Sequence, residues 1–390
     1  YLRRAADEQS ISEIARCSYH PAGSPGARLP LIVCRYFQET SANMSTPKKM
    51  PYVRLGNSGL KVSRIILGTM QYGNKGWQDW VLGEDEAVEH IKTAYEAGIQ
   101  TFDTADTYSN GYSEVILGRA IKKLNLPRDE IVVMTKVYNV VGREYSTHQI
   151  AGRKDPDQNG YVNQHGLSRK ASHLRKRAKE FGAASTGLYR PPTIFDKETP
   201  IEETMQALHD VVKAGYVRYI GMSSCWAYQF QAMQNYAITN KLTPFISMQN
   251  HYSLLYREEE REMFPTLKMF GVGSIPWSPL ARGALTRPLG QQTSRGQSDW
   301  QVLQHMLGVA SAYETIVNRV EELAKKKGVT MAQIAIAWIL GKDGVSAPIV
   351  GTTSLENLKD IIAGIDVKLT VDEIKYLEEE YKPTAVIGHF

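Results

Sequence analysis

From residue 64 onward the chain alternates short runs of β-branched and aromatic residues with stretches long enough to be amphipathic helices. The runs are Ile65-Ile66-Leu67-Gly68, residues 100–105, residues 131–136, Tyr219-Ile220-Gly221-Met222, Phe245-Ile246-Ser247-Met248, Ser274-Ile275-Pro276-Trp277 and Ala347-Pro348-Ile349-Val350. They read as buried parallel strands, covered on both faces. Parallel strands need long crossovers, and the intervening stretches fit helices. Val88, Ile91, Ala94 and Tyr95 share one helical face, and Gly98 follows as a stop. Ile201, Met205, Leu208 and Val212 line another face, and Gly215 ends it. Ahead of that helix, Thr199-Pro200-Ile201-Glu202 has the form of a capping box with Pro at the first helical position. Thr330 with Gln333, and Thr370 with Glu373, are expected to open two more helices. The pattern predicts an α/β fold, a (β/α)8 TIM barrel with one strand not visible. A doubly wound sheet is the alternative, but the G-x-G-x-x-G fingerprint after a first strand is absent. Asn57-Ser58-Gly59, between Tyr52-Val53-Arg54-Leu55-Gly56 and Leu60-Lys61-Val62, signals an N-terminal β-hairpin. It is expected to plug the bottom of the barrel.

Chemistry in such a barrel sits at the C-terminal ends of the strands. The second run continues as Phe102-Asp103-Thr104-Ala105-Asp106-Thr107-Tyr108, and the third ends at Lys136. This sets an acid, a phenol and an ammonium on adjacent strand ends. A phenol ordinarily titrates near ~10. A neighbouring ammonium favours the phenolate and lowers that value, while a carboxylate can hold the ammonium in place. The three residues therefore read as a tuned general acid. A barrel aldolase using Lys136 as a Schiff base is a second reading, which leaves Asp103 and Tyr108 without a role.

Composition narrows the partners. The net charge of +5 is spread along the chain, so no nucleic-acid surface is indicated. No apolar run approaches the ~20 residues that span a bilayer. Cys17, Cys34 and Cys225 show no metal-ligand spacing, so no metal site is expected. The same cysteines fit a reducing, cytoplasmic compartment. Residues 1–43 are rich in Arg, Ser and Pro without periodicity, and Met44 reads as a native start. They are expected to be a disordered or non-native extension, since Asp7, Glu8 and Glu13 do not suit a transit peptide. The barrel domain is then 44–390.

With these residues in view, the chain resembles the aldo-keto reductases, and among them the fungal aryl-alcohol dehydrogenase-like branch. The resemblance covers about residues 51–170 and 196–389. It implies a (β/α)8 barrel, the cofactor NADP(H), and reduction of an aldehyde or ketone, reversibly alcohol oxidation. Asp103, Tyr108 and Lys136 then fill three places of a catalytic tetrad whose fourth member is His. The resemblance further implies that Ser223, Ser224 and Gln249 hold the nicotinamide carboxamide and that Trp277 stacks on the nicotinamide. Ser278, Leu280 and Arg282 would follow the pyrophosphate, and Gly351, Ser354 and Asn357 would meet the adenosine 2′-phosphate. Asn357 stands where many members carry Arg, which bears on the preference for NADP over NAD. The substrate is expected to be a small carbonyl or alcohol. Tyr72, Trp77, Trp80 and Tyr138, on the loops after the first and third strands, favour an aromatic or apolar one. The long polar loop from Val141 to Gln164 is expected to cover the mouth.

One stretch departs from the family. Where a helix and the fourth strand belong, Ala171 to Ile194 contains no β-rich run, and Pro191-Pro192 argues against a central strand. Thr193 falls about where the catalytic His belongs. Strand four and the helix before it are therefore expected to be disrupted, leaving two exposed edges. Read one base out of register, Glu180 to Thr193 can encode SLERLQLDYIDLLQ, which matches the family's helix end and fourth strand. Segment 171–194 is accordingly read as aberrant, translated out of frame. A catalytically impaired NADPH-binding relative lacking the His is the alternative function.

Overall fold

The computed structural model describes residues 50–147, 155–169, 188–190, 195–291 and 310–389. The hairpin forms as expected. β1 (Tyr52–Arg54) pairs antiparallel with β2 (Lys61–Ser63), Val53 opposite Val62. Gly56 lies in the turn with φ +56°, where a Cβ would sit 2.4 Å from the Gly271 carbonyl oxygen. Only glycine accepts both that backbone angle and that approach. Leu55 and Val62 are buried and pack with Ile66, Met134, Ile275 and Ala347.

Eight further strands make one parallel sheet. In order they are β3 (Ile66–Gly68), β4 (Thr101–Asp103), β5 (Val132–Met134), β6 (Leu188–Arg190), β7 (Tyr219–Ser223), β8 (Phe245–Gln249) and β9 (Gly273–Ser274). The eighth, β10 (Ile349–Val350), lies on the other side of β3. Parallel bridges Ser274–Val345 and Trp277–Ile349 join the two ends of this order. There the Ser346 and Ile349 N–H groups donate to the carbonyls of Ser274 and Pro276, each at 2.8 Å.

Between the strands run α1 (Glu84–Glu96), α2 (Tyr112–Lys123), α3 (Ile201–Lys213), α4 (Ala227–Thr239) and α5 (Met263–Phe270). After them come α6 (Ala310–Lys327), α7 (Met331–Leu340), α8 (Leu355–Ala363) and α9 (Val371–Glu378). The predicted apolar stripes face the sheet: α1 buries Val88, Ile91 and Ala94, and α3 buries Met205 and Leu208. Thr330, Ser354 and Thr370 cap α7, α8 and α9, accepting the N–H groups of Gln333, Asn357 and Glu373 at 3.1, 3.3 and 3.2 Å. No helix among the described residues is long and apolar enough to cross a membrane.

Two expectations are corrected. The fourth strand is present: β6 pairs with β5 through Val133–Leu188 and Met134–Tyr189, and with β7 through Tyr189–Tyr219 and Arg190–Ile220. The paired residues are Leu188, Tyr189 and Arg190, each able to donate its N–H, and Pro191 and Pro192 lie outside the described residues. Three residues suffice because β5 beside it is also three residues long. The rest of segment 171–194, Thr193 included, lies outside the described residues, as does the extension 1–43. Thr199 does not cap α3. Its hydroxyl donates to Asp196 Oδ2 at 2.7 Å, and Pro200 occupies the cap position.

After α9 the chain returns to the loop that follows β8. Glu258 accepts the Tyr381 hydroxyl at 2.7 Å and the Thr384 N–H at 3.0 Å, and pairs with Arg261 at 2.6 Å. Burial pushes the Glu258 carboxyl up, but these donors together outweigh it, and it titrates below the ordinary carboxylate range. A depressed carboxylate lends stability that is present above its unfolded value and lost as pH falls through the folded one. Thermal melts of Glu258→Gln are therefore expected to lose less stability than the parent between about pH 6 and about pH 3. Parallel pH profiles for the two proteins would contradict this.

Candidate active site

Register brings the charged trio together. Asp103 ends β4 opposite Met134 of β5, and Lys136 lies two residues beyond Met134, on the same face of the strand line. Both Asp103 and Lys136 are 2% exposed. The Lys136 Nζ donates to Asp103 Oδ2 at 2.6 Å, to the Thr104 carbonyl at 2.8 Å and to Tyr108 Oη at 3.3 Å. An ammonium has three protons, and all three are engaged. The second carboxylate oxygen, Oδ1, accepts Gln249 Nε2 from β8 at 2.9 Å. Gln249 thus spends its amide donor on Asp103, a role that the resemblance did not imply.

Tyr108 opens a tight turn in which Ser109, Asn110 and Gly111 hold φ of +48°, +52° and +94°. Such backbone in non-glycine residues persists only where the surroundings over-determine it. Here the Asn110 amide donates to the Glu144 and Thr147 carbonyls at 3.0 and 2.8 Å and accepts the Gly142 N–H at 2.8 Å. The loop after β5 is thereby tied to the turn that presents the phenol.

The titration of the phenol runs opposite to the sequence expectation. Burial raises the Tyr108 pKa above the ordinary phenol value, and this outweighs the lowering by Lys136. The Asp103 charge adds to the rise, and the nearby Lys136 ammonium only partly offsets it. Burial also disfavours the Lys136 ammonium, but Asp103 and Tyr108 more than offset it, and its pKa lies above the ordinary lysine value. At neutral pH the site therefore holds a protonated phenol beside a charged ion pair.

A cavity of about 820 Å³ opens over this trio. Of the catalytic and cofactor residues named from the sequence, every one except Ser354 lines it. Ser354 instead caps α8, and Asn357 of that helix reaches the cavity. At the end of β7, Ser223 Oγ donates to the Gln249 carbonyl at 2.6 Å, and Ser224, with φ +40°, accepts Trp277 Nε1 at 3.3 Å. Past β9, Ser278, Ala281 and Arg282 hold φ of +55°, +46° and +55°. Left-handed backbone at non-glycine residues costs of order 1–3 kcal/mol each and gathers at ligand-holding loops. At Gly351 a Cβ would lie 2.7 Å from Gln71 Oε1, so a side chain there would displace the Gln71 amide.

Some lining residues carried no sequence signal. Arg287 reaches the cavity with its Nε buried and without a hydrogen-bond partner, while its Nη2 donates to Thr286 Oγ1 at 3.3 Å. A guanidinium so placed suits an anion. The signal available was a cation in a loop past a strand end, which position alone does not distinguish from a solvated one. Gly388, near the C-terminus, also lines the cavity and lies against Trp277 and Ser224. The aromatic residues expected around the substrate divide. Trp80 lines the cavity, whereas Tyr72 and Trp77 are fully buried, Tyr72 edge-on to His90 and Trp77 edge-on to Trp80. No cluster of three or more His, Cys, Asp or Glu that could hold a metal ion occurs among the described residues. A dinucleotide fits this set: a guanidinium with an unsatisfied Nε and a capped helix N-terminus suit phosphates, and an indole over the cavity suits a flat ring.

The family model described as the Aldo/keto reductase family matches residues 64–382. The versiconal hemiacetal acetate reductase of Aspergillus parasiticus is 45% identical over 342 residues, which cover 86% of this chain and 98% of that protein. A Schizosaccharomyces pombe protein that bears an aryl-alcohol dehydrogenase name is 45% identical over 361 residues, covering 88% of this chain and 99% of its own. The aldo-keto reductase AFTS1 of Alternaria alternata is 42% identical over 346 residues, covering 87% and 93%. The chain belongs to the aldo-keto reductase family, in its fungal aryl-alcohol dehydrogenase-like branch, and is an oxidoreductase of carbonyl compounds.

Proposed function

We propose that this chain is an NADP(H)-dependent reductase of small aldehydes or ketones, working reversibly as an alcohol dehydrogenase, on a (β/α)8 barrel formed within residues 44–390. The observation that carries the reading is one ammonium, Lys136, bound at once to Asp103 and Tyr108 beneath a cavity of dinucleotide size. The nicotinamide, when bound, supplies a hydride to the carbonyl carbon. Tyr108 keeps its proton on Oη and passes it to the carbonyl oxygen as negative charge builds there. Lys136 stabilises the phenolate left behind. Asp103 anchors Lys136, and Gln249 keeps the carboxylate from turning away. With all its protons committed, Lys136 is poorly placed to become a Schiff-base nucleophile, which weighs against an aldolase.

Ser223, Ser224 and Trp277 would hold the nicotinamide end, and Ser278, Leu280 and Arg282 the pyrophosphate. Gly351, Ser354 and Asn357 would frame the adenosine end. Arg287 would supply the cation for the 2′-phosphate that the neutral Asn357 does not. Trp80 and Met70 line the cavity and favour an apolar or aromatic substrate. The names of the relatives, a hemiacetal acetate reductase and an aryl-alcohol dehydrogenase, fit a carbonyl or alcohol substrate of that kind.

Tyr108→Phe is expected to lower NADPH-dependent reduction of aromatic aldehydes by ~10²-fold or more while NADPH still binds, as followed by cofactor fluorescence. Parent protein that binds NADPH without turnover would instead indicate an impaired, non-catalytic relative. The acid form of Tyr108 is the active one, and its raised pKa keeps it protonated as pH rises. The Tyr108-dependent loss of kcat/KM is therefore expected only above about pH 10, and a Tyr108 limb near neutral pH would contradict the assignment.

Arg287→Met is expected to weaken NADPH binding by ~10- to 100-fold and leave NADH binding unchanged, because a charge-assisted contact to the 2′-phosphate is lost. Equal weakening of both cofactors would place Arg287 at the pyrophosphate.

A further inference from the structure

We propose that His251 is a positioning residue that fixes the Trp277 indole for the cofactor, backed in turn by Tyr256 and the C-terminal segment; this rests on the reading of Trp277 as the nicotinamide plate. His251 is 1% exposed. Its imidazole lies 4.2 Å from the Trp277 ring at an interplanar angle of 9°, and 4.3 Å from the Tyr256 ring at 16°. Two nearly parallel rings at that spacing cannot share one imidazole face without overlapping, so they take opposite faces. One face of the indole is therefore covered by His251. The indole also lines the cavity, and its second face, over which the Arg282 guanidinium carbon stands 5.9 Å from the ring centroid, is the one a flat ligand would meet.

The remaining edges of Trp277 are held as well. Its Nε1 donates to Ser224 Oγ at 3.3 Å, and a Cβ on Gly388 would lie 3.7 Å from its Cζ2. The backbones of His251 and Trp277 form a parallel bridge, so the two rings stand on neighbouring, registered chain segments. At the outer end, Tyr256 Oη accepts the Ile387 N–H at 3.0 Å. The same segment continues to His389, whose Nε2 lies 3.0 Å from the buried Glu259 carboxylate and whose ring packs edge-on against Trp226. A continuous path thus runs from Ile387 through Tyr256 and His251 to Trp277.

The imidazole suits this place because it is flat on both sides. A leucine could fill the volume, but its branched methyls could not present two parallel faces to two aromatic rings. Core packing alone would need only the volume. Positioning needs the plane, and this difference separates the two roles in experiment.

The test uses the full chain and NADPH as the probe, with the dissociation constant read by cofactor fluorescence and folding by thermal melting. His251→Leu keeps the burial and loses the plane, and is expected to raise the NADPH dissociation constant ~10-fold, with KM for NADPH rising more than kcat falls. His251→Phe keeps the plane and is expected to restore binding to within ~2-fold of the parent. Tyr256→Phe removes only the hydroxyl that pins Ile387 and is expected to weaken binding by ~3-fold, which keeps the test open even where the leucine variant folds poorly. Parent-like NADPH binding in both His251→Leu and Tyr256→Phe would overturn the proposal, as would a phenylalanine variant as weak as a folded leucine one. A parent protein that takes up no NADPH would overturn the cofactor reading itself.

Discussion

The site depends on a buried ion pair, Lys136 with Asp103. Taking two charges out of water costs several kcal/mol per ion, and their attraction repays this only when the remaining protons and lone pairs are also satisfied. Here they are. Thr104 and Tyr108 take the other two ammonium protons, and Gln249 occupies the second carboxylate oxygen. Four segments must therefore keep their register together: the ends of β4, β5 and β8 and the turn that carries Tyr108. A one-residue slip between β4 and β5 would turn Lys136 away from Asp103 and leave two uncompensated charges inside. The pair is best understood as a register lock that also serves the chemistry, since it holds the ammonium beside the Tyr108 hydroxyl.

That view explains how far the sequence could be read. Adjacent strand ends were visible as apolar runs that stop at Asp103 and Lys136, so the meeting of acid and base followed from periodicity and topology. The direction of the Tyr108 titration did not. It turns on burial of the phenol, which outweighs the lowering by Lys136 and which residue types do not encode. Caps at Thr330 and Thr370 were legible because a short hydroxyl ahead of an apolar face has few other partners. Thr199 looked the same and was not a cap, because Asp196 three residues earlier competes for its hydroxyl. Arg287 and His251 were illegible for a different reason. Their meaning lies in what they face across the cavity or within the stack, and no local spacing reports that.

The fourth strand shows tertiary context overriding composition. Leu188, Tyr189 and Arg190 would not be chosen as a strand on propensity, and two prolines follow at once. Yet the ladders of β5 and β7 each present an edge at that place, and unpaired edge groups left inside a sheet are costly. Any three residues that can extend and donate their N–H groups relieve that cost. Proline is excluded only from the paired positions, and here it begins one residue later. The sheet thus sets a backbone requirement at this place, and the requirement is met without a β-rich run.

On the proposed reading, the adenosine end would show how a binding role moves while the site is kept. There the resemblance expects Arg where Asn357 stands, and read along the sequence this is a lost cation. Arg287 lines the same cavity, with an Nε that has no hydrogen-bond partner and an Nη2 that donates to Thr286 Oγ1 at 3.3 Å. An anion site needs the charge within reach and does not need it on a particular element, because a guanidinium can approach a phosphate from either wall. The left-handed backbone at Ser278, Ala281 and Arg282, just before Arg287 in the same loop, then has a reason to be tolerated. On the proposed reading it shapes the loop that would carry the positive charge, so that the strain and the cation would belong to one device.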